Sequence, residues 1–364
     1  MTLMTFVYLI AGLVLLVAGA EVLVRGAAKL AAQFGIPPLI IGLTVVAFGT
    51  SAPETAVSVQ SAFNGSGDLA IGNVIGSNIA NVLLILGMTA LVAPLIVSRQ
   101  LIRLDVPIMI GASLLTFGLA WDGSLSRLDG ALLFAGILAY TAFLIYNARK
   151  DKGNDDDEFA KEFGLDEAPK PYAWVINLGL IIAGLVLLVA GSNFLVEGAV
   201  TLARALGISE LVIGLTVVAI GTSLPELATS ILAAIKGERD IAVGNIVGSN
   251  IFNLLCVLGL ASLVSPAAIS VSPNALAFDF PVMIAVAVAC LPIFFAGYRI
   301  NRWEGLLFLA YYVAYTLYLI LSSTGRPFAD VMGEAMLGYV LPLTAVTLVV
   351  IAARAWRKQR GEPV

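Results

Sequence analysis

Residues 35–87 read "GIPPLIIGLTVVAFGTSAPETAVSVQSAFNGSGDLAIGNVIGSNIANVLLILG", and residues 207–259 read "GISELVIGLTVVAIGTSLPELATSILAAIKGERDIAVGNIVGSNIFNLLCVLG". The two stretches align without a gap at a constant offset of 172, with 31 of 53 positions identical. A match of this length marks an internal duplication, and it sets how the rest of the chain is read. Each copy breaks an apolar run with small, hydroxyl and acidic residues: "GTSAPE" at 49–54 and "GTSLPE" at 221–226.

Outward from these copies the 364-residue chain is 60% hydrophobic and 12% charged, with a mean hydropathy of +0.99. That is too apolar for a water-soluble core, and the expected class is an all-α polytopic membrane protein. Apolar windows long enough to cross ~30 Å of hydrocarbon fall at 4–33, 37–63, 69–94, 101–120, 128–147, 172–204, 210–235, 241–265, 275–297, 302–322 and 335–353. They divide into a first five-helix repeat at 1–147, a linker at 148–171, a second repeat at 172–322 and an extra C-terminal helix with a basic tail at 323–364. Five is odd, so the second copy enters the bilayer from the opposite face. Ten helices in two inverted repeats, plus one, are therefore expected.

Basic loops stay cytoplasmic, and an external N-terminus puts 17 of the 20 Lys and Arg residues inside. The expected location is the cell membrane, with the N-terminus outside and the C-terminus cytoplasmic. The linker carries "DDDE" at 155–158 but no EF-hand spacing, and reads as a solvated cytoplasmic segment. The first apolar window is no signal peptide: it lacks a basic start, and its "AGLVLLVAG" at 11–19 recurs at 183–191.

Several functions are excluded. With no His, and with only Cys256 and Cys290 inside apolar runs, the chain offers no nucleophile–base pair, no disulfide framework and no zinc-protease motif. It is not read as an enzyme, and no cofactor is expected. A net charge of −4 points to no nucleic-acid partner, and no obligate protein partner is evident beyond the lipid bilayer.

Gly49 and Pro53, like Gly221 and Pro225, weaken a helix at membrane depth, where unwound backbone is tolerated only inside protein or beside a wet cavity. Freed carbonyls of Ala47 and Ala219 would point at whatever lies beside them. Thr50 and Glu54 share a helix face with Ser51 flanking, and Thr222, Ser223 and Glu226 repeat the set. On the next windows Ser77 and Asn81, and Ser249 and Asn253, stand i, i+4, while Gly72, Gly76, Gly244 and Gly248 permit close helix approach. All these ligands are hard oxygens, which suit Na⁺, Ca²⁺ or Mg²⁺ rather than softer metals. Mg²⁺ keeps its waters, whereas Ca²⁺ accepts an irregular cage. Two buried carboxylates facing each other would repel or take up protons unless cations neutralised them. One Ca²⁺ does so, and so do two or more Na⁺, so the two loads exclude each other.

The paired G-T-S-x-P-E and G-S-N-I-x-N motifs resemble the alpha repeats of the sodium/calcium exchanger family, within the cation/calcium exchanger superfamily. The resemblance spans the ten-helix body. It implies an electrogenic Na⁺/Ca²⁺ antiporter of alternating access, with four ion sites between the second, third, seventh and eighth helices. Carried onto this chain, Glu54 and Glu226 would be the central ligands of both ions. Thr50 and Thr222 would supply hydroxyl and backbone oxygens, and Ala47 and Ala219 carbonyls. Ser51, Ser77, Ser223 and Ser249 would complete sodium sites, with Asn81 and Asn253 lining the middle. Potassium-dependent relatives carry Asp where Asn253 stands, so the resemblance argues against potassium dependence. A proton/calcium exchanger is the nearest alternative, since buried Glu can carry H⁺, and a calcium-selective channel is the alternative from another class.

Elsewhere, Gly12, Gly19 and Gly26 and Gly184, Gly191 and Gly198 form stripes of spacing seven. They read as tight helix packing or as a smooth seam letting the first and sixth helices shift over the core. Glu21 and Arg25 are expected to pair at i, i+4, and Glu197 stands in a related place without a matching Arg. Asp105 and Asp279, each two residues before a Pro, are expected to serve helix N-termini, and Asp68 and Asp240 to cap helices.

Overall fold

The computed structural model describes residues 3–34, 36–150, 172–205 and 219–323. The expected linker at 148–171 falls almost wholly outside the described residues, as do the helix expected at 335–353 and the first part of the window at 210–235. Among the described residues eight helices are long and apolar enough to cross a membrane, and a ninth span is bent.

In chain order the helices are α1 (Met4–Phe34), the bent pair α2 (Pro38–Thr50) and α3 (Ala52–Phe63), α4 (Gly67–Val92), α5 (Leu101–Asp122) and α6 (Arg127–Asn147). Then come α7 (Ala173–Leu202), the short α8 (Ala219–Thr222), α9 (Leu224–Ile235), α10 (Arg239–Val264), α11 (Ala275–Phe295) and α12 (Arg302–Leu321). The two helices carrying the G-S-N motifs form the centre: 78% of the apolar window of α4 and 89% of that of α10 is buried, against 17–39% for the other spans. Their exposed counterparts turn Leu, Ile, Val and Phe outward, as lipid-facing helices do.

Four two-residue strands clamp the helix ends. β1 (Leu95–Ile96), between α4 and α5, pairs antiparallel with β4 (Arg299–Ile300), between α11 and α12. β2 (Ser124–Leu125), between α5 and α6, pairs antiparallel with β3 (Ile269–Ser270), between α10 and α11. Each pair joins one repeat to the other and satisfies backbone groups at a loop.

The glycine stripes of α1 and α7 face each other. A Cβ added to Gly12 would lie 2.6 Å from Leu195 N, one on Gly19 2.8 Å from Leu188 N, and one on Gly26 2.9 Å from the Asn177 carbonyl. Partner numbers fall as α1 numbers rise, so the helices run antiparallel with backbones in contact. The seam expected against the core lies instead between α1 and α7. Gly244 and Gly248 likewise admit α2, where an added Cβ would reach the Leu39 carbonyl at 2.9 Å and Leu43 Cα at 2.8 Å. Gly72 and Gly76 have no such described neighbour; the matching positions, 211 and 215, lie outside the described residues.

The acids near helix starts gain partners the sequence does not name. Asp105 ends a π-helical turn, Leu101–Asp105, and is fully buried. It accepts hydrogen bonds from Tyr140 Oη at 2.9 Å and Gln100 Nε2 at 3.3 Å. Asp279 accepts one from Tyr315 Oη at 3.2 Å. Both stand at the N-cap position of an α-helical segment with a Pro in its first turn, as expected, but neither makes a side-chain capping bond; they tie α5 to α6 and α11 to α12 instead, because a carboxylate shielded from water needs donors. Asp68 and Asp240 stand in first helical turns whose cap positions are Ser66 and Glu238, neither with a side-chain capping bond.

Candidate ion-binding site

Helix α2 ends at Thr50 and α3 begins at Ala52, with the axes bent by 48°. The hinge is Ser51, at φ −79°, ψ 11°. Its counterpart Ser223, at φ −91°, ψ 10°, separates α8 from α9. The cause is local: Pro53 and Pro225 lack the amide hydrogen that continues an α-helix, so the carbonyls they leave unserved are those of Gly49 and Gly221. Ala47, by contrast, has its carbonyl engaged, accepting from Ser51 N at 3.1 Å. Ala219 opens α8.

The two breaks meet in the middle of the molecule. Ser51 Oγ donates to Glu226 Oε1 at 3.1 Å, and Ser223 Oγ donates to Glu54 Oε1 at 3.0 Å. Each glutamate is thus held by the serine of the opposite half. Glu54 is 0% and Glu226 1% exposed, and the two are near enough for the Glu226 charge to act directly on Glu54. The Thr222 hydroxyl also stands by Glu54, and those of Thr50 and Ser249 by Glu226. Ser77 takes its place through a 3.3 Å contact with Ser223 Oγ. One oxygen of each carboxylate, Oε2, is buried and has no hydrogen-bond partner.

Behind the carboxylates lies a matched polar layer. Asn73 Nδ2 donates to Ser58 Oγ at 2.9 Å and to the Glu54 carbonyl at 3.3 Å, while Asn245 Nδ2 donates to Ser230 Oγ at 2.9 Å and to the Glu226 carbonyl at 3.5 Å. Thr50 Oγ1 donates to Asn245 Oδ1 at 3.1 Å and Thr222 Oγ1 to Asn73 Oδ1 at 3.4 Å, so each amide orients the other half's threonine. Deeper still, Asn81 Nδ2 donates to Asn250 Oδ1 at 3.0 Å and Asn253 Nδ2 to Asn78 Oδ1 at 3.1 Å. Asn81 and Asn253 each open a π-helical turn, Asn81–Leu86 and Asn253–Val257, and their buried Oδ1 atoms also have no partner.

Of the twelve residues singled out from the sequence, eight lie around the two carboxylates, Asn81 and Asn253 stand in the separate amide layer with Asn250 and Asn78, and Ala47 and Ala219 lie at the rims of the breaks. Six others in these two layers were not singled out: Ser58, Asn73, Asn78, Ser230, Asn245 and Asn250. Their signal was present, for all six are identical polar residues at the 172 offset. Four acceptor oxygens, two anionic and two amide, and the Ser249 hydroxyl lie buried without a hydrogen-bond partner. Leaving them so is costly, and a bound cation is one means of removing that cost. Among the described residues no group of three or more His, Cys, Asp or Glu side chains is present. The donor set is accordingly two carboxylates diluted by neutral oxygens, which suits hard cations.

Comparison with known proteins identifies the family. The profile of the sodium/calcium exchanger protein family matches residues 4–146 and 176–321. The chain is 42% identical over 320 residues to a putative antiporter, CaxA, of Alkalimonas amylolytica, covering 87% of this chain and 98% of that one. It is 35% identical to the sodium/calcium exchanger MaX1 of Methanosarcina acetivorans, covering 88% and 99%. Among solved structures it resembles the sodium-calcium exchanger NCX_Mj soaked with Na⁺ and Sr²⁺, with a TM-score of 0.72, 32% identity, and 86% of this chain and 97% of that chain covered. The chain is a membrane protein of the sodium/calcium exchanger family.

Proposed function

We propose that this protein exchanges Na⁺ for Ca²⁺ across the cell membrane by alternating access at the Glu54–Glu226 site. The observation that carries the reading is the reciprocal pair of bonds, Ser51 to Glu226 and Ser223 to Glu54, around two buried carboxylates whose second oxygens lack partners. One Ca²⁺ cancels the two negative charges, and two or more Na⁺ cancel them equally, so occupation by one load excludes the other. In this scheme Glu54 and Glu226 bind both ions. Thr50 and Thr222 contribute hydroxyl and backbone oxygens, and Ala47 and Ala219 backbone oxygens, Ala47 through the carbonyl lone pair that Ser51 N leaves unused. Ser51, Ser77, Ser223 and Ser249 complete sodium positions, and Asn81 and Asn253 line the midplane.

Exchange needs the site to face each side in turn, which inverted halves provide. Two findings support inversion. The loop between α4 and α5 pairs with that between α11 and α12, and the loop between α5 and α6 with that between α10 and α11. Loops at matching places in the two halves thus lie at opposite ends of the bundle. In addition α1 and α7, the first helix of each half, run antiparallel. On this reading 1–147 and 172–322 are the two five-span repeats, 148–171 is a cytoplasmic linker and 323–364 an added helix and tail. The excess of Lys and Arg puts the N-terminus outside.

The test is uptake of labelled calcium into vesicles holding the purified protein. Uptake driven by an outward Na⁺ gradient, and absent when a pH gradient replaces it in sodium-free buffer, is the expected result. Uptake driven by the pH gradient alone identifies a proton/calcium exchanger instead, and flux without any counter-ion identifies a channel.

A further inference from the structure

Pro225 has no amide hydrogen for the Gly221 carbonyl, and inside a membrane protein that carbonyl must find another donor. It finds one on a neighbouring helix. Ser192 of α7, 4% exposed, donates from Oγ to the Gly221 carbonyl at 2.5 Å. Contact continues one turn further along: a Cβ added to Gly221 would run into Val196 Cγ2. The same stripe of α7 also reaches the first break, where a Cβ on Gly49 would meet Leu185 Cδ2 at 2.5 Å. Leu185, Ser192 and Val196, seven and four residues apart, lie on one helix face. Beside them Gly184, Gly191 and Gly198 face α1. Helix α7 is therefore packed between α1 and both breaks.

The duplication makes Ser192 informative. Its counterpart at the 172 offset is Ala20, which has no donor. The carbonyl released by Pro225 has a hydroxyl partner on α7, and that released by Pro53 has none from the matching place.

We propose that Ser192 is a positioning residue for ion exchange, holding the Gly221 carbonyl so that the break carrying Thr222 and Ser223, and not the one carrying Thr50 and Ser51, is tied by a hydrogen bond to α7. Thr222 and Ser223 follow Gly221 directly, so turning that peptide displaces both hydroxyls, and Ser223 is bonded to Glu54. A shift of α7 by one helical turn, ~5.4 Å, breaks the bond. Movement of α7 is then coupled to the shape of one half of the site.

This inference rests on the exchange reading, and sodium-driven calcium uptake in vesicles tests both. Wild-type protein with no such uptake overturns the exchange reading and takes this one with it. Where wild type exchanges, S192A is expected to raise the KM for Ca²⁺ about fivefold, the scale of one lost buried hydrogen bond, with turnover at saturating calcium no lower than wild type. S192T, which keeps the donor, is expected to return KM to within twofold, and S192C, a weak donor of similar size, to fall between. A KM in S192A within twofold of wild type overturns the proposal. So does reduced turnover at unchanged KM, which loss of folded protein alone produces, or equal KM values in S192A and S192C.

Discussion

The two breaks carry the same residues and are braced differently. Gly-Thr-Ser-x-Pro-Glu occurs in both, and the serines and glutamates reciprocate across the interface with distances that differ by 0.1 Å. Around them the halves diverge. Ser192 holds the second break where Ala20 stands in the first half. Glu21 of α1 bonds both Arg25 and Lys236, whereas the matching positions hold Asn193, Glu197 and Asn64, a set without a cation. The lesson is a division of labour. On the exchange reading, the residues proposed to touch the ions are bound by symmetry, because either face must meet the same chemistry, while the surrounding contacts are free to favour one conformation over its mirror.

The strongest way to break this comparison is to remove one charge from each half in turn. Glu54→Gln and Glu226→Gln each leave a single carboxylate to balance a divalent ion in a buried site, and losing one partner of a buried charge pair costs on the order of 3–5 kcal/mol. Both are expected to abolish Na⁺-driven Ca²⁺ uptake, with a fall of at least about 100-fold. Wild-type-like flux in either variant sinks the site, and a large loss in one alone sinks its symmetry.

Next in size are Ser51→Ala and Ser223→Ala. Each removes a hydroxyl that donates to the opposite glutamate, and bonds to charged groups are worth about 1.5–3 kcal/mol. The expected outcome is a rise of about tenfold or more in the calcium KM, equal in the two variants within a factor of about three. Isothermal calcium binding to each purified variant reads the same difference without transport. A tenfold disparity between them contradicts the reciprocal geometry.

Much of this was legible in the sequence. The apolar windows at 69–94, 101–120 and 241–265 fall within two residues of α4, α5 and α10 at each end, because a bilayer demands ~20 apolar residues whatever they pack against. The glutamates and hydroxyls stood out because lipid tolerates them poorly. Asn73, Asn78, Asn245 and Asn250 did not, since an amide inside a Gly-rich helix looks the same whether it lines a site or a helix contact. Pairings across great sequence separation were invisible as well. Nothing near Asp105 names Tyr140 as its donor, and nothing in the stripe of Gly19 says that it faces Gly184 rather than the core. Ser192 escaped for the opposite reason to the asparagines: the repeat comparison highlights what is shared, and Ser192 matters because it is not.

Smaller effects come from the helix pair. A Cβ on Gly19 would lie 2.8 Å from Leu188 N, and one on Gly191 2.7 Å from Leu16 N. Both contacts are with backbone, so a larger side chain must push the helices apart. Gly19→Leu and Gly191→Leu are expected to slow exchange about tenfold while leaving equilibrium calcium binding intact, since neither residue belongs to the site. Stopped-flow or vesicle rates set against isothermal binding separate the two quantities. Loss of binding in these variants refutes a role confined to movement.

The smallest expected effect tests the asymmetry itself. Lys236 follows α9, and its ammonium bonds Glu21 of α1, which also accepts from Arg25 Nε at 2.5 Å. The contact closes one end of the interface between α1 and the second break, and the matching residues Asn193 and Asn64 carry no charge to repeat it at the other end. Glu21 and Lys236 side chains are 30% and 27% exposed, so water and salt screen the pair and its worth is about 0.2–1 kcal/mol. Lys236→Ala should therefore alter the apparent calcium affinity only about twofold. The direction carries the information: a bond made in one conformation biases the equilibrium between the two, so affinity should rise at one membrane face and fall at the other. Raising salt to ~1 M, where the Debye length shrinks to ~3 Å, should erase the difference between variant and wild type. Oriented vesicles assayed from both sides read this directly. Equal changes at the two faces, or a difference that survives high salt, would mean that the Glu21–Lys236 pair does not distinguish one conformation from its mirror.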